Sequence, residues 1–251
     1  FRDEDTRKDR QPEFTQIDIE ASFTSAEEVM KLGENLIKEV FKKILNVELK
    51  DFPVMTYSEA IKKFGSDKPD LRNPLELIDV KDIFADSEFK VFGDPAKDTK
   101  SRLVALKISN SLTRSQIDDY TKFVGNFGAK GLAYIKVNDA NDLKEGLQSP
   151  ILKFLSENEI ESLSKKLDIS SGDTVFFGAG HKKIVNESMG ALREKLGEDL
   201  KLIDKEKWAP LWIKDFPVFD EAEDVVPAAA VEAGRVVAQL VEDLVHLERG
   251  G

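Results

Sequence analysis

Between residues 86 and 205 short apolar runs alternate with longer stretches whose apolar residues recur every three or four positions. Leu103-Val104-Ala105-Leu106-Lys107-Ile108, Gly131-Leu132-Ala133-Tyr134-Ile135-Lys136-Val137 and Asp173-Thr174-Val175-Phe176-Phe177 are short and rich in β-branched and aromatic residues, so they read as strands. Thr113 with Gln116, and Ser156 with Glu159, are capping boxes, in which a hydroxyl satisfies an early helical amide and the longer side chain reaches back. The first box opens a helix with Ile117, Tyr120, Phe123, Val124 and Phe127 on one side, expected to end at Gly128. The second carries Ile160, Leu163 and Leu167. Ser149-Pro150 places proline in a tolerated first turn, and a helix from Lys182 to Leu196 turns Ile184, Val185, Met189, Leu192 and Leu196 inward. Strands and helices in turn bury their apolar faces as layers, so a compact α/β segment is expected here. Nothing in it forms a catalytic cluster, and scattered glycines around Gly125 and Gly178 are weak evidence for a nucleotide loop.

The first twenty residues read as two extended segments joined by a charged turn. From Glu13 to Glu20 the pattern alternates: Phe14, Gln16, Asp18 and Glu20 point one way, and Glu13, Thr15, Ile17 and Ile19 the other. A face with an aromatic ring, an amide and two carboxylates is a poor core and a better floor for a polar pocket. Thr24-Ser25-Ala26-Glu27 is a capping box opening a helix striped by Val29, Leu32, Leu36, Ile37, Val40, Phe41 and Ile44. Val54-Met55-Thr56 is a strand, and Thr56-Tyr57-Ser58-Glu59 starts a short helix that stops at Gly65. Pro69 and Pro74 break regular structure, which puts a boundary near residues 65 to 85. Leu211 to Phe216 reads as a strand rejoining the first sheet. Pro227 can begin a last, amphipathic helix with Val231, Val237, Leu240, Val241, Leu244 and Leu247 along one stripe.

The chain has 251 residues, enough for more than one domain, with 41% hydrophobic and 34% charged residues. No apolar run approaches the roughly 18 residues of a membrane span. The absence of cysteine excludes disulfides and thiolate metal sites and fits the cytoplasm. A net charge of -11 argues against bulk coating of nucleic acid, leaving Arg7, Lys8 and Arg10 as one small basic island. His181 and His246 have no nearby second histidine and no metal-ligand spacing, so they read as surface or satisfied histidines. A chain that begins at Phe1, with its most informative stretch at the edge, reads as a piece of a longer protein.

Phe1-Arg2-x-Glu4 followed by Arg10-x-x-x-Phe14 resembles motif 2 of class II aminoacyl-tRNA synthetases. Phe14-Thr15-Gln16-Ile17-Asp18-Ile19-Glu20 and Phe64-Gly65-Ser66-Asp67-Lys68-Pro69-Asp70-Leu71-Arg72 are similar to the bacterial aspartyl branch. Lys207-Trp208-Ala209-Pro210-Leu211-Trp212 with Asp215-Phe216-Pro217 resembles the return from that branch's insertion domain, which is shared with the B subunit of the tRNA-dependent amidotransferase. Gly125 to Ile135 and Phe176 to Val185 carry the insertion-domain likeness, in which the glycines serve turns. The resemblance covers roughly residues 1 to 220 and fails beyond Glu221.

The resemblance implies an α+β protein: part of a class II antiparallel catalytic sheet (1–72), interrupted by an α/β insertion domain (73–205), a return strand (206–220) and a helical tail (221–251). It implies an aspartate-tRNA ligase using ATP with Mg²⁺, whose ligands are not in this chain. Arg2 would bridge the amino acid carboxylate and the α-phosphate, since a planar guanidinium fork suits both. Asp3, Glu4 and Gln11 would contact ATP, and Phe14 would stack on adenine. Asp18 would face the ammonium of L-aspartate, with Gln16 lining the pocket, and Arg7 and Arg10 would approach the acceptor stem of tRNA(Asp). The family forms homodimers. With motifs 1 and 3 missing, the chain alone is expected to form no adenylate. The competing expectation is a noncatalytic tRNA- or protein-binding module built on the insertion domain.

Overall fold

The computed structural model describes residues 15–217, together with Glu13 and the pair Val237–Ala238. In chain order the elements are α1 (Ala26–Val40, continued by a wider turn over Phe41–Leu45), β1 (Val54–Thr56), α2 (Tyr57–Phe64), β2 (Leu77–Asp79), α3 (Lys90–Lys97), β3 (Ser101–Ile108), α4 (Arg114–Gly125), β4 (Ala133–Val137), β5 (Leu147–Gln148), α5 (Glu157–Leu167), β6 (Thr174–His181), α6 (Lys182–Asp199), β7 (Trp212–Lys214) and β8 (Val237–Ala238). The chain divides into two compact units, one ending at Tyr57 and resuming at Trp208, the other Ser58–Lys207. The architecture is α+β.

The Ser58–Lys207 unit is a five-stranded sheet in the order β2-β3-β6-β4-β5, with every neighbouring pair antiparallel. Alternating strands and helices ordinarily build parallel sheets. Here α4 joins β3 to β4, and β6 lies between them, antiparallel to both, which is a split β-α-β arrangement. Leu103, Ala105, Val175 and Phe177 pack on one face with Phe92, Leu163 and Leu167 from α3 and α5. Val104, Leu106, Ile108 and Phe176 pack on the other with Ile117, Tyr120 and Val124 of α4 and Val185, Met189, Leu192 and Leu196 of α6. Because both faces are covered, Leu103 to Leu106 form an unbroken apolar run rather than an alternating one. Gly178 permits close packing of α6 on the sheet: a Cβ there would meet Met189 Cγ at 2.4 Å.

The capping boxes at Thr113/Gln116 and Ser156/Glu159 form as expected. Two expectations need correction. Helix α4 stops at Gly125, with Gly128 at φ +83° in the turn beyond it, and the helix expected after Pro150 is a single 3-10 turn, Leu152–Phe154.

In the other unit β1 pairs in parallel with β7, and β8 pairs antiparallel on the far edge of β7. A parallel pair needs a long crossover, and the whole Ser58–Lys207 unit supplies it. The first helix is capped by Ser25 rather than Thr24: Glu28 N–H donates to Ser25 Oγ (3.3 Å) and Ser25 N–H to Glu28 Oε2 (2.8 Å), while Thr24 Oγ1 donates to the same carboxylate. Both hydroxyls fit the box pattern, and the acid that reaches back is Glu28. Asn46 closes the wider turn in the left-handed region, φ 55°. Of the tail helix expected beyond Pro227, only Val237–Ala238 are described, and they pair as a strand; the rest lies outside the described residues. Among the described residues no helix is long and apolar enough to cross a membrane.

Candidate functional site

Of the side chains singled out for chemistry, Arg2, Asp3, Glu4, Arg7, Arg10, Gln11 and Phe14 lie outside the described residues. Gln16 and Asp18 are described and exposed, in a stretch without regular structure that runs to Ser25. This corrects the strand expected over Glu13 to Glu20. Alternation produces a strand only where a neighbour completes the ladder, and no described strand pairs with this stretch. Ile17 and Ile19 are accordingly exposed too, and Phe23 turns the chain through a left-handed conformation, φ 56°, before α1.

The helix that follows is tied down by one carboxylate. Glu34 accepts from Lys38 Nζ (2.5 Å), from the Trp212 indole N–H (3.2 Å) and from the Phe52 amide (3.3 Å), joining α1, β7 and the segment before β1. Partial burial pushes the Glu34 carboxyl up, but the bonds from Lys38, Trp212 and Phe52 outweigh it and hold it below the usual range. Lys38 also reaches Asp51 at 2.6 Å, and Phe41 meets the Trp208 ring edge-on at 4.9 Å. Gly33 lies against the Trp212 ring, where a Cβ would come within 3.3 Å.

The segment Phe64 to Arg72, singled out by its residue pattern, lies in the Ser58–Lys207 unit. Arg72 Nε and Nη2 fork onto the Asp70 carboxylate at 3.0 and 2.9 Å, and the Arg72 amide adds a third bond at 2.8 Å. Burial raises the Asp70 pKa; the Arg72 bonds and the charges of Arg72 and Arg193 more than reverse it, leaving it lowered. Arg193, only 1% exposed, donates through Nε to Leu75 O (2.5 Å) and through Nη2 to Asn73 O (2.7 Å) and Asp70 O (2.8 Å). Asn73 returns a bond from Nδ2 to Arg193 O (2.8 Å), and the Phe64 ring covers the guanidinium at 4.6 Å. Sequence reasoning missed Arg193 and Asn73. The available signal was an arginine flanked in helical spacing by Met189, Leu192 and Leu196, where a charge must find buried acceptors.

His181 caps the start of α6 through its backbone and is exposed, and His246 lies outside the described residues. Among the described residues no three His, Asp or Glu side chains gather as a metal ligand set. Gly178 is buried in β6 beneath Met189 and Val185, which is a packing role and leaves no room there for a phosphate.

The family model described as tRNA synthetases class II (D, K and N) matches residues 1–242. The match takes in both units and continues past Glu221, where the literal likeness ends.

Proposed function

Because this chain belongs to the class II tRNA synthetases of the D, K and N group, we propose that it serves the aspartate-charging reaction. The observation that carries the reading is the run Phe14-Thr15-Gln16-Ile17-Asp18-Ile19-Glu20 inside that match. In the first step a carboxylate oxygen of L-aspartate attacks the α-phosphorus of ATP, and the bond to the leaving pyrophosphate breaks. In the second, the 3′-terminal hydroxyl of tRNA(Asp) attacks the acyl carbon and AMP departs.

Both partners in the first step are anionic, so a cation that touches both lowers their repulsion and fixes their approach together. Arg2 takes that role. Glu4 accepts from the adenine amino group, Asp3 and Gln11 contact ATP, and Phe14 forms the platform beneath the base. Asp18 holds the substrate ammonium by a charge-assisted contact, with Gln16 beside it. Arg7 and Arg10 meet the acceptor stem. Residues 73–205 form the insertion domain in this reading.

The test is a thermal shift of the chain with non-hydrolysable aspartyl-, asparaginyl- and lysyl-adenylate analogues. The aspartyl analogue at about a hundred times its Kd is expected to raise the midpoint by about 5 °C, and Arg2→Ala to remove the rise. A larger rise with the asparaginyl or lysyl analogue, or none with the aspartyl one, overturns the reading.

A further inference from the structure

Two arginines of the Ser58–Lys207 unit are almost fully buried, Arg102 at 7% and Arg193 at 1% exposed. Their hydrogen bonds run chiefly to main-chain carbonyls of one stretch of chain. Arg102, at the start of β3, donates through Nη1 to Ile61 O (3.0 Å) and through Nη2 to Lys62 O, occupying carbonyls at the C-terminal end of α2, and Nη1 also meets Asn186 Oδ1 on α6. Arg193 holds the carbonyls of Asp70, Asn73 and Leu75.

The stretch from Ile61 to Leu75 is the incoming chain of this unit, and α6 is its last helix before the chain leaves at Lys207. Between the two arginines the backbones touch. Gly65 has φ +72° and no room for a side chain, since a Cβ would meet Asn186 O at 2.5 Å; a Cβ on Gly190 would meet Phe64 O at 3.1 Å. At the far end a Cβ on Gly197 would strike Asn73 Nδ2 at 2.3 Å. Burying a guanidinium is expensive relative to burying leucine or methionine, and here it is offset by bonds to main-chain carbonyls, of which Ile61 O also accepts from Gly65 N–H (3.0 Å) and Asp70 O from Asn73 N–H (3.3 Å).

We propose that Arg102 and Arg193 form a clasp that fastens the incoming chain onto β3 and α6, closing the Ser58–Lys207 unit where the chain enters it so that it unfolds as its own cooperative body. With the entry fastened from inside, loss of order in one unit need not propagate into the other along the incoming chain. The clasp is a device of the Ser58–Lys207 unit and does not depend on which amino acid the protein charges.

The chain's tryptophans make this testable without cutting it. Trp208 and Trp212 are the only two, and both belong to the unit that the clasp insulates against, whereas α3 to α6 and nearly all of α2 belong to the clasped unit. Urea unfolding of the full chain is followed by tryptophan fluorescence and by far-ultraviolet circular dichroism. Arg193→Met and Asn73→Leu are expected to lower the dichroism midpoint by about 1 M or more while the fluorescence midpoint stays in place. Equal movement of both midpoints overturns the proposal, as does no movement of either. If Arg193→Met leaves the clasped unit unfolded in buffer, native tryptophan emission in that variant supports the clasp and its loss refutes it. Arg193→Lys, which keeps the charge and loses the fork, should shift the dichroism midpoint in the same direction by less.

Discussion

Helices α1 and α6 carry the same kind of apolar periodicity and meet different fates. In α6, Val185, Met189, Leu192 and Leu196 are all buried in the core against β3 and β6. In α1 no residue is buried, and Val29, Leu32, Leu36 and Val40 are 48, 47, 40 and 44% exposed. The helix is held instead along its neighbouring side by Glu34, Gly33 and the Trp212 ring, with Phe41 buried just beyond its end. A stripe in the sequence states that a helix has an apolar face; what lies opposite decides whether that face is worth several kcal/mol or almost nothing.

The contrast breaks first where burial is greatest. Phe177 lies in the centre of β6, 2% exposed, between Phe92 and the α5 residues Leu163 and Leu167. Phe177→Ala is expected to destabilise the Ser58–Lys207 unit by about 3–5 kcal/mol, read as a fall in the urea midpoint by circular dichroism. A loss below about 1 kcal/mol would show that this face of the sheet is not packed as described.

A smaller effect separates the two units by pH. Tyr120 in α4 donates its hydroxyl to Asp199 Oδ2 at 3.0 Å, and burial, reinforced by the bond to Asp199 and its charge, pushes the phenol up to about 12. Its pKa is about 10 in the unfolded chain. The neutral phenol therefore contributes its full stability below pH 10 and loses it as pH rises through about 12, since the unfolded state ionises first. Between those limits the Ser58–Lys207 unit should lose about 2 kcal/mol that Tyr120→Phe does not lose. Stability measured from pH 8 upward in both proteins checks this; parallel curves would sink it. Tyr120→Phe should also be weaker near neutrality by about 1 kcal/mol for the missing hydrogen bond.

Local signals were legible in the sequence and remote ones were not. Thr113 with Gln116 and Ser156 with Glu159 lie within one turn of each other, so their pattern carries the structure. At the first helix the box expected at Thr24 and Glu27 forms one residue later, at Ser25 and Glu28. The insertion of β6 between β3 and β4 depends on pairing between residues far apart in the chain, which periodicity does not encode. The stripe around Arg193 signalled its burial, but its acceptors at Asp70, Asn73 and Leu75 were illegible for the same reason, because they lie more than a hundred residues away. The candidate site is legible mainly as a family likeness, because Arg2, Asp3, Glu4, Arg7, Arg10, Gln11 and Phe14 fall outside the described residues, and for Gln16 and Asp18 the structure adds exposure in place of the expected strand.

The smallest expected effect is the sharpest test of the comparison between the helices. Leu36 sits mid-stripe on α1, 40% exposed, while Leu192 sits mid-stripe on α6, fully buried. Glutamine has nearly the helix propensity of leucine, so the exchange changes burial and little else. Leu36→Gln should move the tryptophan-detected midpoint by no more than about 0.5 kcal/mol, because the side chain already faces water. Leu192→Gln should cost several times that, since it puts an amide into an apolar core. If Leu36→Gln costs more than about 2 kcal/mol, the stripe is covered in solution, and α1 belongs with α6 as a helix whose periodicity is fully used.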